Sequence, residues 1–579
     1  MNRQQRPLSL GLCATAIGVA ALLVACAGRP PAAHAPLAAA RPGTLQACTD
    51  LAARAALPGT AYTSATEVPA GAVTVGGVAM SAPAHCLVQG RMNERTSPVD
   101  NQRYAVGFEM RLPVAWNGRF FYQANGGLDG VVVPAIGGIG GGGPRSSALQ
   151  MGFAVISSDA GHAGSMGPRF GLDPQARLDY GYNAVAQLTP MAKNLIAKAY
   201  GRGPDRSYFG GCSNGGRHAM VAAVRSAQQY DGILAGDPGF NLPKAAVAQL
   251  YGAQQYAAVA SAKTPAGQPD LQSAFTPAEM KLVADKVLQR CDALDGLADG
   301  IVSNVQACQA RFDIQADVPT CAAGTRDGMC LSAPQKNALA NVFVKGARNS
   351  AGQPLYSSFP FDAGVSGSNW REWKFASPPT RDAGAVGFIF TTPPLAERPQ
   401  GLPFALGFDM DRDAPRIAAT DGVFHESALS FMTPPDAANL GALRDRGGRM
   451  IVYHGTSDPV FSSDDTAAWY ERVQAANGGD ASSFARYFPV PGMNHCAGGP
   501  ATDQFDMLSA LVDWVEQGKA PASVTAAARG AGTPVPNAEV PANWSAQRTR
   551  PLCPYPQVAT YTGGDTERAS SFACKPPAP

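Results

Sequence analysis

Three short segments carry the residue types that nucleophilic acyl transfer requires. Gly211-Cys212-Ser213-Asn214-Gly215 fits the G-x-S-x-G elbow, a sharp strand-to-helix turn that lifts a serine hydroxyl above a sheet edge. A serine hydroxyl is a weak nucleophile at its free pKa and needs an adjacent base, itself oriented by a third group. His495, in Pro491-Gly-Met-Asn-His495-Cys496, is the candidate base. Asp458, in Tyr453-His-Gly-Thr-Ser-Asp458, is the candidate acid that holds the imidazole in one tautomer. The rival acids Asp464 and Asp465 lie farther from the strand end. The rival base His454 precedes the acid by four residues and reads as structural, and His162 and His218 read as packing or supporting residues.

Acyl transfer also needs donors aimed at the developing oxyanion. The residue after the nucleophile, Asn214, supplies one backbone N–H. The second is assigned to Gly127, with Gly126 beside it, in the turn Gln123-Ala-Asn-Gly126-Gly127-Leu-Asp-Gly130. Cys212 precedes the nucleophile and Cys496 follows the base. If Ser213 and His495 meet, a Cys212–Cys496 disulfide would tie their loops together; the alternative is Cys212 as a free, buried small hydrophobe.

These residues need a scaffold that brings distant loops to one edge. Strand-like runs occur at Tyr104–Leu112, Arg119–Gln123 and Phe153–Ser157, and a helical pattern at Ala184–Ala199. Ser207–Cys212 leads as a strand into the elbow, and an amphipathic helix spans Gly216–Gln228. After a stretch that reads as irregular (240–435), strands return at Gly448–Gly455 and Ala485–Val490, followed by a helix at Phe505–Glu516. Strands alternating with helices imply a parallel sheet. With the order Ser, acid, His, the expected fold class is α/β: an α/β-hydrolase sheet with a large inserted lid domain. The catalytic domain is expected at 46–239 and 441–579, and the lid at 240–440. Lids of this kind enclose a water-poor pocket.

A chain of 579 residues exceeds one core. Its 46 Lys and Arg against 44 Asp and Glu leave a net charge of +2, which gives no basis for a nucleic-acid partner. Arg3 and Arg6, the apolar run Leu8–Val24 and the lipobox Leu23-Val24-Ala25-Cys26 predict a signal peptide (1–25) and lipidation of Cys26; the alternative is an ordinary signal cut near Ala27. Residues 26–45, rich in Ala and Pro, read as a flexible tether. The expected location is the outer membrane, as a lipoprotein, or the periplasm or exterior, with membrane contact only through the lipid. Of twelve cysteines, Cys13 leaves with the signal and Cys26 takes the lipid. The remaining ten suit disulfides in an oxidising compartment. Proximity suggests Cys48–Cys86, Cys291–Cys308, Cys321–Cys330 and Cys553–Cys574, leaving Cys212 for Cys496. In Cys291-Asp292-Ala-Leu-Asp295-Gly-Leu297-Ala-Asp299-Gly-Ile301, three carboxylates in a tight bend would repel one another without a cation. Hard oxygen ligands suit Ca²⁺, with the carbonyls of Leu297 and Ile301 completing the shell; the alternative is a solvated acidic turn. No organic cofactor is expected.

The Cys212-Ser213, Asp458 and His495-Cys496 arrangement resembles the CS-D-HC pattern of the tannase and feruloyl esterase family, and above all its branch that hydrolyses mono(2-hydroxyethyl) terephthalate. The resemblance runs from about Cys48 to Cys574 and includes Phe170-Gly-Leu-Asp-Pro-Gln-Ala-Arg-Leu-Asp, Arg446-Gly-Gly-Arg-Met-Ile, Val490-Pro-Gly-Met-Asn-His-Cys and Arg550-Pro-Leu-Cys-Pro-Tyr-Pro. It implies esterase chemistry on small aromatic esters, a lid calcium loop at Asp292–Ile301 and the five cysteine pairs named above. Two departures stand out. The terephthalate branch has a Glu after its nucleophile, where this chain has Asn214. Its lid Arg, which grips a substrate carboxylate, has no aligned counterpart, because Arg381 is displaced and the accompanying serines are missing. Trp373 matches an aromatic pocket residue, and Phe388 and Phe390 join it as candidate pocket residues. Esterase activity therefore follows more firmly than terephthalate selectivity. The rival readings are a peptidase on the same fold and a non-catalytic surface binding lipoprotein.

Overall fold

Side chains alternating along short, buried strands build this protein around one sheet. The computed structural model describes residues 35–75, 78–139 and 147–577. The expected leader, Cys26 and the first part of the tether lie outside the described residues. The central sheet contains β1 (Thr60–Val68), β2 (His85–Thr96), β3 (Arg103–Pro113), β4 (Arg119–Gln123), β5 (Ala154–Ser158), β6 (Arg206–Cys212), β7 (Gly232–Gly236), β8 (Arg449–Gly455) and β9 (Ala485–Val490). Their order is β9-β8-β7-β6-β4-β5-β3-β2-β1. The strands from β9 to β5 run parallel. Strands β3, β2 and β1 extend the sheet antiparallel.

Each parallel strand feeds two cores. Phe120, Tyr122, Phe209, Ile233, Met450 and Val452 pack into one, and Phe121, Tyr208, Leu234, Ile451 and Tyr453 into the other. Helices cover both faces, so these strands read as continuous apolar runs. The helices that matter to the site are α1 (Ala184–Tyr200), α2 (Asn214–Arg225), α3 (Leu242–Ala257), α4 (Pro277–Cys291), α5 (Ala333–Phe343), α6 (Ser463–Ala476) and α7 (Met507–Gln517). Leu188 and Met191 of α1 and Met220 of α2 enter the first core, while Leu508, Leu511 and Val515 of α7 enter the second.

The register pairs Cys212 with Gly236 and Gly236 with Tyr453. The carboxyl ends of β6, β7 and β8 are thus level, and open α/β sheets place their ligands beyond that edge. Between Gly236 and Arg449 the chain contributes no strand to the sheet. This stretch is more regular than expected, since it holds α3, α4 and α5. Two of these begin with capping boxes, Thr276 with Glu279 and Ser332 with Gln335, each followed by a proline in the first turn. Those S/T-x-x-E/Q signals are present in the sequence. The aromatic and proline content of the segment obscures them, because it breaks the apolar periodicity. The disulfides Cys48–Cys86, Cys212–Cys496, Cys291–Cys308, Cys321–Cys330 and Cys553–Cys574 all form.

One buried ion pair fastens α7 to the sheet. Arg119 Nε and Nη2 donate to the two Glu516 oxygens, both at 2.7 Å. Tyr208 Oη donates to Glu516 Oε1 at 2.6 Å, and the Glu516 side chain is 2% exposed. Removing one partner of such a pair leaves the others desolvated and unmatched, typically at about 3–5 kcal/mol. Glu516→Ala should therefore lower the unfolding temperature by several degrees in a calorimetric scan, whereas replacing the exposed Arg103 should leave it within about a degree.

Candidate active site

Ser213 sits at the tip of the β6–α2 turn with φ 65° and ψ −126°, a strained conformation for a residue with a side chain. Its N–H donates to the Gly236 carbonyl at 3.0 Å. The elbow glycines are required by close approach: a Cβ on Gly211 or Gly215 would come within 2.5 Å of the Ala124 carbonyl oxygen. His495 Nε2 lies 2.8 Å from Ser213 Oγ, and His495 Nδ1 lies 2.7 Å from Asp458 Oδ2. Asp458 Oδ1 accepts from the backbone N–H of Val460 (2.7 Å) and Phe461 (3.2 Å). The structure thus brings Ser213, His495 and Asp458 together. Asp464 instead accepts from Ser358, and Asp465 from Asn241.

His454 and Asp237 are further members of this cluster. His454 Nε2 faces Asp458 Oδ2 at 3.2 Å, the Phe461 carbonyl at 3.1 Å and Asp237 Oδ1 at 3.8 Å, while Nδ1 faces Thr466 Oγ1 at 2.8 Å. Three acceptors around Nε2 assign the ring proton to that atom. Asp458 therefore receives two imidazoles on one oxygen. Burial acts to raise its pKa, but the His495 charge and the His454 and His495 hydrogen bonds hold the carboxyl well below the usual range. Burial works to lower the pKa of His454, yet Asp458 and Asp237 together raise it. Burial pushes Asp237 up to about 6. Asp237 accepts from the N–H of Gly455 (2.6 Å) and Cys496 (2.8 Å), keying the ends of three strands to one carboxylate. The spacing of His454 from the acid was legible in the sequence, but nothing in it pointed to Asp237.

Asn214 opens α2 directly after the nucleophile, and Gly127 adopts a left-handed φ of 64°. Both line the cavity above Ser213. The Asn214 side chain is committed elsewhere. Its Nδ2 donates to Asp129 Oδ2 (2.8 Å), and its Oδ1 accepts from Arg217 Nε (3.0 Å) and Nη2 (2.7 Å). His218 Nε2 meets the same Asp129 oxygen at 3.0 Å. Tyr180 Oη donates to the Gly127 carbonyl at 3.2 Å. His162 stacks on Phe170, with ring centroids 3.7 Å apart. His218 thus belongs to a buried network behind the turn, and His162 to packing.

The cavity is roofed by the segment between β7 and β8. Trp373 and Phe461 present their rings edge-to-face to the His495 imidazole, at 5.3 and 5.4 Å. Trp373 and Phe390 line the cavity, but Phe388 does not. Phe388 is fully buried beneath the Arg169 guanidinium, and its carbonyl accepts from Arg177. Residues 386–390 wind as a helical turn, and helical residues two apart point to opposite sides. Arg381 is brought to the cavity and lies over the Trp373 ring at 4.1 Å.

The acidic turn after α4 is tightly wound. Asp292 accepts from the N–H of Asp299 and Gly300, Asp295 from Leu297, and Asp299 from Ile301. Asp295 is 3% exposed, and burial together with the Asp299 and Asp292 charges pushes it up to about 7. A buried carboxylate among like charges fits a hard cation. The Asp299 carboxylate is also engaged by Arg550, whose Nε donates to its Oδ2 at 3.1 Å. Among the described residues, the side-chain groups that converge as metal ligands would are Cys212-Asp237-Cys496 and Asp237-His454-Asp458. Both belong to the cluster around Ser213, and the two sulfurs of the first are consumed in the disulfide.

Residues 86–575 match the family described as tannase and feruloyl esterase. The chain is 43% identical over 537 residues to a mono(2-hydroxyethyl) terephthalate hydrolase of Piscinibacter sakaiensis, covering 86% of each. It is 26% identical over 491 residues to feruloyl esterase C of Talaromyces stipitatus, covering 81% of this chain and 82% of that one. Among solved structures, feruloyl esterase B from Aspergillus oryzae has the same fold, with a TM-score of 0.72 at 24% identity, covering 91% of this chain and 99% of that one.

The network behind Asn214 has a pH signature. Burial raises Asp129 from 3.8 to about 7, against the opposing Arg217 charge. A carboxyl whose folded pKa lies above its unfolded one favours folding when protonated. Its contribution is complete below about pH 4 and is lost as pH rises through about 7. Asp129→Asn should flatten the fall in unfolding temperature between about pH 4 and 7 relative to wild type. Parallel curves for the two proteins would show that Asp129 does not titrate there.

Proposed function

The chain belongs to the tannase and feruloyl esterase family, and on that premise we propose that it is a serine carboxylic-ester hydrolase acting on small aromatic esters of the mono(2-hydroxyethyl) terephthalate, feruloyl or galloyl kind. The observation that carries this reading is the Ser213–His495–Asp458 chain of hydrogen bonds, at 2.8 and 2.7 Å, under an apolar cavity bounded by Trp373 and Phe390. His495 Nε2 takes the Ser213 proton as Oγ attacks the ester carbonyl carbon. The tetrahedral oxyanion faces the backbone N–H groups of Asn214 and Gly127 at the positive end of α2. Collapse of this intermediate breaks the ester C–O bond, and His495 protonates the departing alcohol. Water then gives a proton to His495 and attacks the acyl carbon, releasing the acid and restoring Ser213. Asp458 remains ionised throughout and stabilises the imidazolium.

Two supporting roles complete the reading. Ca²⁺ would be held at the acidic turn by Asp292 and Asp295 with the Leu297 and Ile301 carbonyls, and Asp299 would be shared with Arg550. It would supply structural charge compensation only. The five disulfides support export into an oxidising compartment. A lipid on Cys26 would then tether the enzyme to the membrane.

Ser213→Ala should lower kcat by roughly 10⁴-fold or more on ferulate, gallate and terephthalate half-esters, with an unchanged melting curve. Turnover near wild type on any of them would remove Ser213 from the mechanism. Chelation should lower the unfolding temperature, since an ion that binds only the folded state stabilises it by mass action. Asp295→Ala should abolish that response, and an unaltered curve in chelator, with no metal by elemental analysis, would leave the segment a plain turn.

A further inference from the structure

The two backbone N–H groups aimed at the oxyanion, those of Asn214 and Gly127, come from separate loops, and their spacing must be fixed by something. At Gly127 it is not side-chain packing. This residue is the apex of a turn with a left-handed φ of 64°, and a Cβ built on it would meet nothing within 4 Å. The Asn214 side chain spans the turn instead. Its Nδ2 donates to Asp129 Oδ2 at 2.8 Å and to the Asn125 carbonyl at 3.5 Å, so one amide reaches both ends of the segment that carries Gly127. Those ends are themselves held. Asn125 Nδ2 donates to Ser157 Oγ (3.0 Å) and to the Ser158 carbonyl (2.8 Å) at the end of β5. The Asp129 N–H donates to the Gly126 carbonyl at 3.2 Å, and the Gly130 N–H to the Asp159 carbonyl at 3.0 Å. The other side of the Asn214 amide is gripped by Arg217, which is fully buried and also donates to the carbonyls of Tyr180 and Gly181. Asn214 and the Asp129 carboxylate are both buried, so water does not compete for the bond between them.

A donor serves a developing oxyanion only at about 2.7–3.1 Å, and a misplacement of about 1 Å costs roughly 100-fold in rate. A glycine turn is too permissive to hold that tolerance unaided. We propose that the Asn214 amide and the Asp129 carboxyl form a clamp that fixes the spacing of the two oxyanion donors, which makes Asp129 a positioning residue for acyl transfer. The chemistry of the pair suits this task. A carboxyl oxygen keeps a lone pair for the amide whether or not the group is protonated, so the clamp closes in either state of Asp129. Alanine at 214 would keep its backbone N–H but could not span the turn. Aspartate there would offer Asp129 no donor. The proposal rests on the ester-hydrolase reading of Ser213 and adds a residue to its machinery.

The test uses the full protein and the fastest substrate among methyl ferulate, methyl gallate and mono(2-hydroxyethyl) terephthalate. It compares kcat and KM with inhibition by phenylboronic acid, which forms a tetrahedral adduct on a serine nucleophile, and by the free acid that the ester releases, which forms none. Asn214→Ala should lower kcat about 100-fold with KM within about threefold of wild type. It should weaken the boronic acid by a comparable factor and leave the free acid within about threefold. The isosteric Asn214→Asp should behave in the same way, and it replaces Asn214→Ala if that variant does not fold. Asp129→Gly suits the left-handed backbone at φ 56° and should match the loss, while the double variant should lose no more than either single one. Asp129→Asn keeps an acceptor for the amide and should lose less than about tenfold. Losses that multiply in the double variant, a kcat near wild type in folded Asn214→Ala, or equal weakening of the boronic acid and the free acid would overturn the clamp while leaving the esterase reading intact. Failure of wild type to hydrolyse any of the three esters would overturn the esterase reading itself, and the clamp with it.

Discussion

A covalent bond between Cys212 and Cys496 joins the nucleophile loop to the base loop across 284 residues of chain. The site depends on it because both loops are conformationally costly. Ser213 and Cys496 have φ values of 65° and 61°, in the region that side chains avoid. The bond fixes the two Cα atoms 6.1 Å apart, and Asp237 binds the Cys496 N–H from the adjoining strand end. In the chain-entropy account, closing a loop of this length stabilises the folded state by on the order of 5 kcal/mol. That is enough to offset the local strain of both residues. The large segment between β7 and β8 lies inside this loop. It can therefore be rebuilt for different substrates without moving the nucleophile relative to its base.

Around that bond the charges are arranged so that few are exposed and most are answered. Asp458 is held ionised by two histidines and two backbone N–H groups. Asp237 and Asp129, one on each side of the elbow, are buried carboxylates pushed toward neutrality. Asp237 accepts the Gly455 and Cys496 N–H groups, and Asp129 accepts from the Asn214 side chain and meets His218 Nε2, so each fixes a loop of the site. Asn214 thereby does two jobs. Its backbone opens α2 directly after Ser213, and its side chain anchors the first turn of that helix through Asp129 and Arg217.

The roof segment brings the substrate side. Trp373 of that segment and Phe461, just after β8, flank His495 on two edges. The helical turns at 372–390 decide which residues line the cavity. They turn Trp373 and Phe390 toward it and Phe388 away from it.

Much of this was legible in the linear chain because it is local. The elbow needs a glycine two residues to either side of Ser213, the strands β4 and β9 are self-announcing apolar runs, and the order of Ser213, Asp458 and His495 follows the order of the sheet. The cysteine pairs were legible for a related reason. Four are close in sequence, and the fifth is adjacent to two residues that must touch. The sequence did not determine which partners a buried charge acquires. Asp237 and Asp129 sit in unremarkable stretches, and their roles appear only when strand register places them against His454, Cys496, Asn214 and His218. Likewise, periodicity did not distinguish Phe388 from Phe390. The face a side chain presents on an irregular helical turn depends on how that turn docks, and docking is settled by contacts hundreds of residues away.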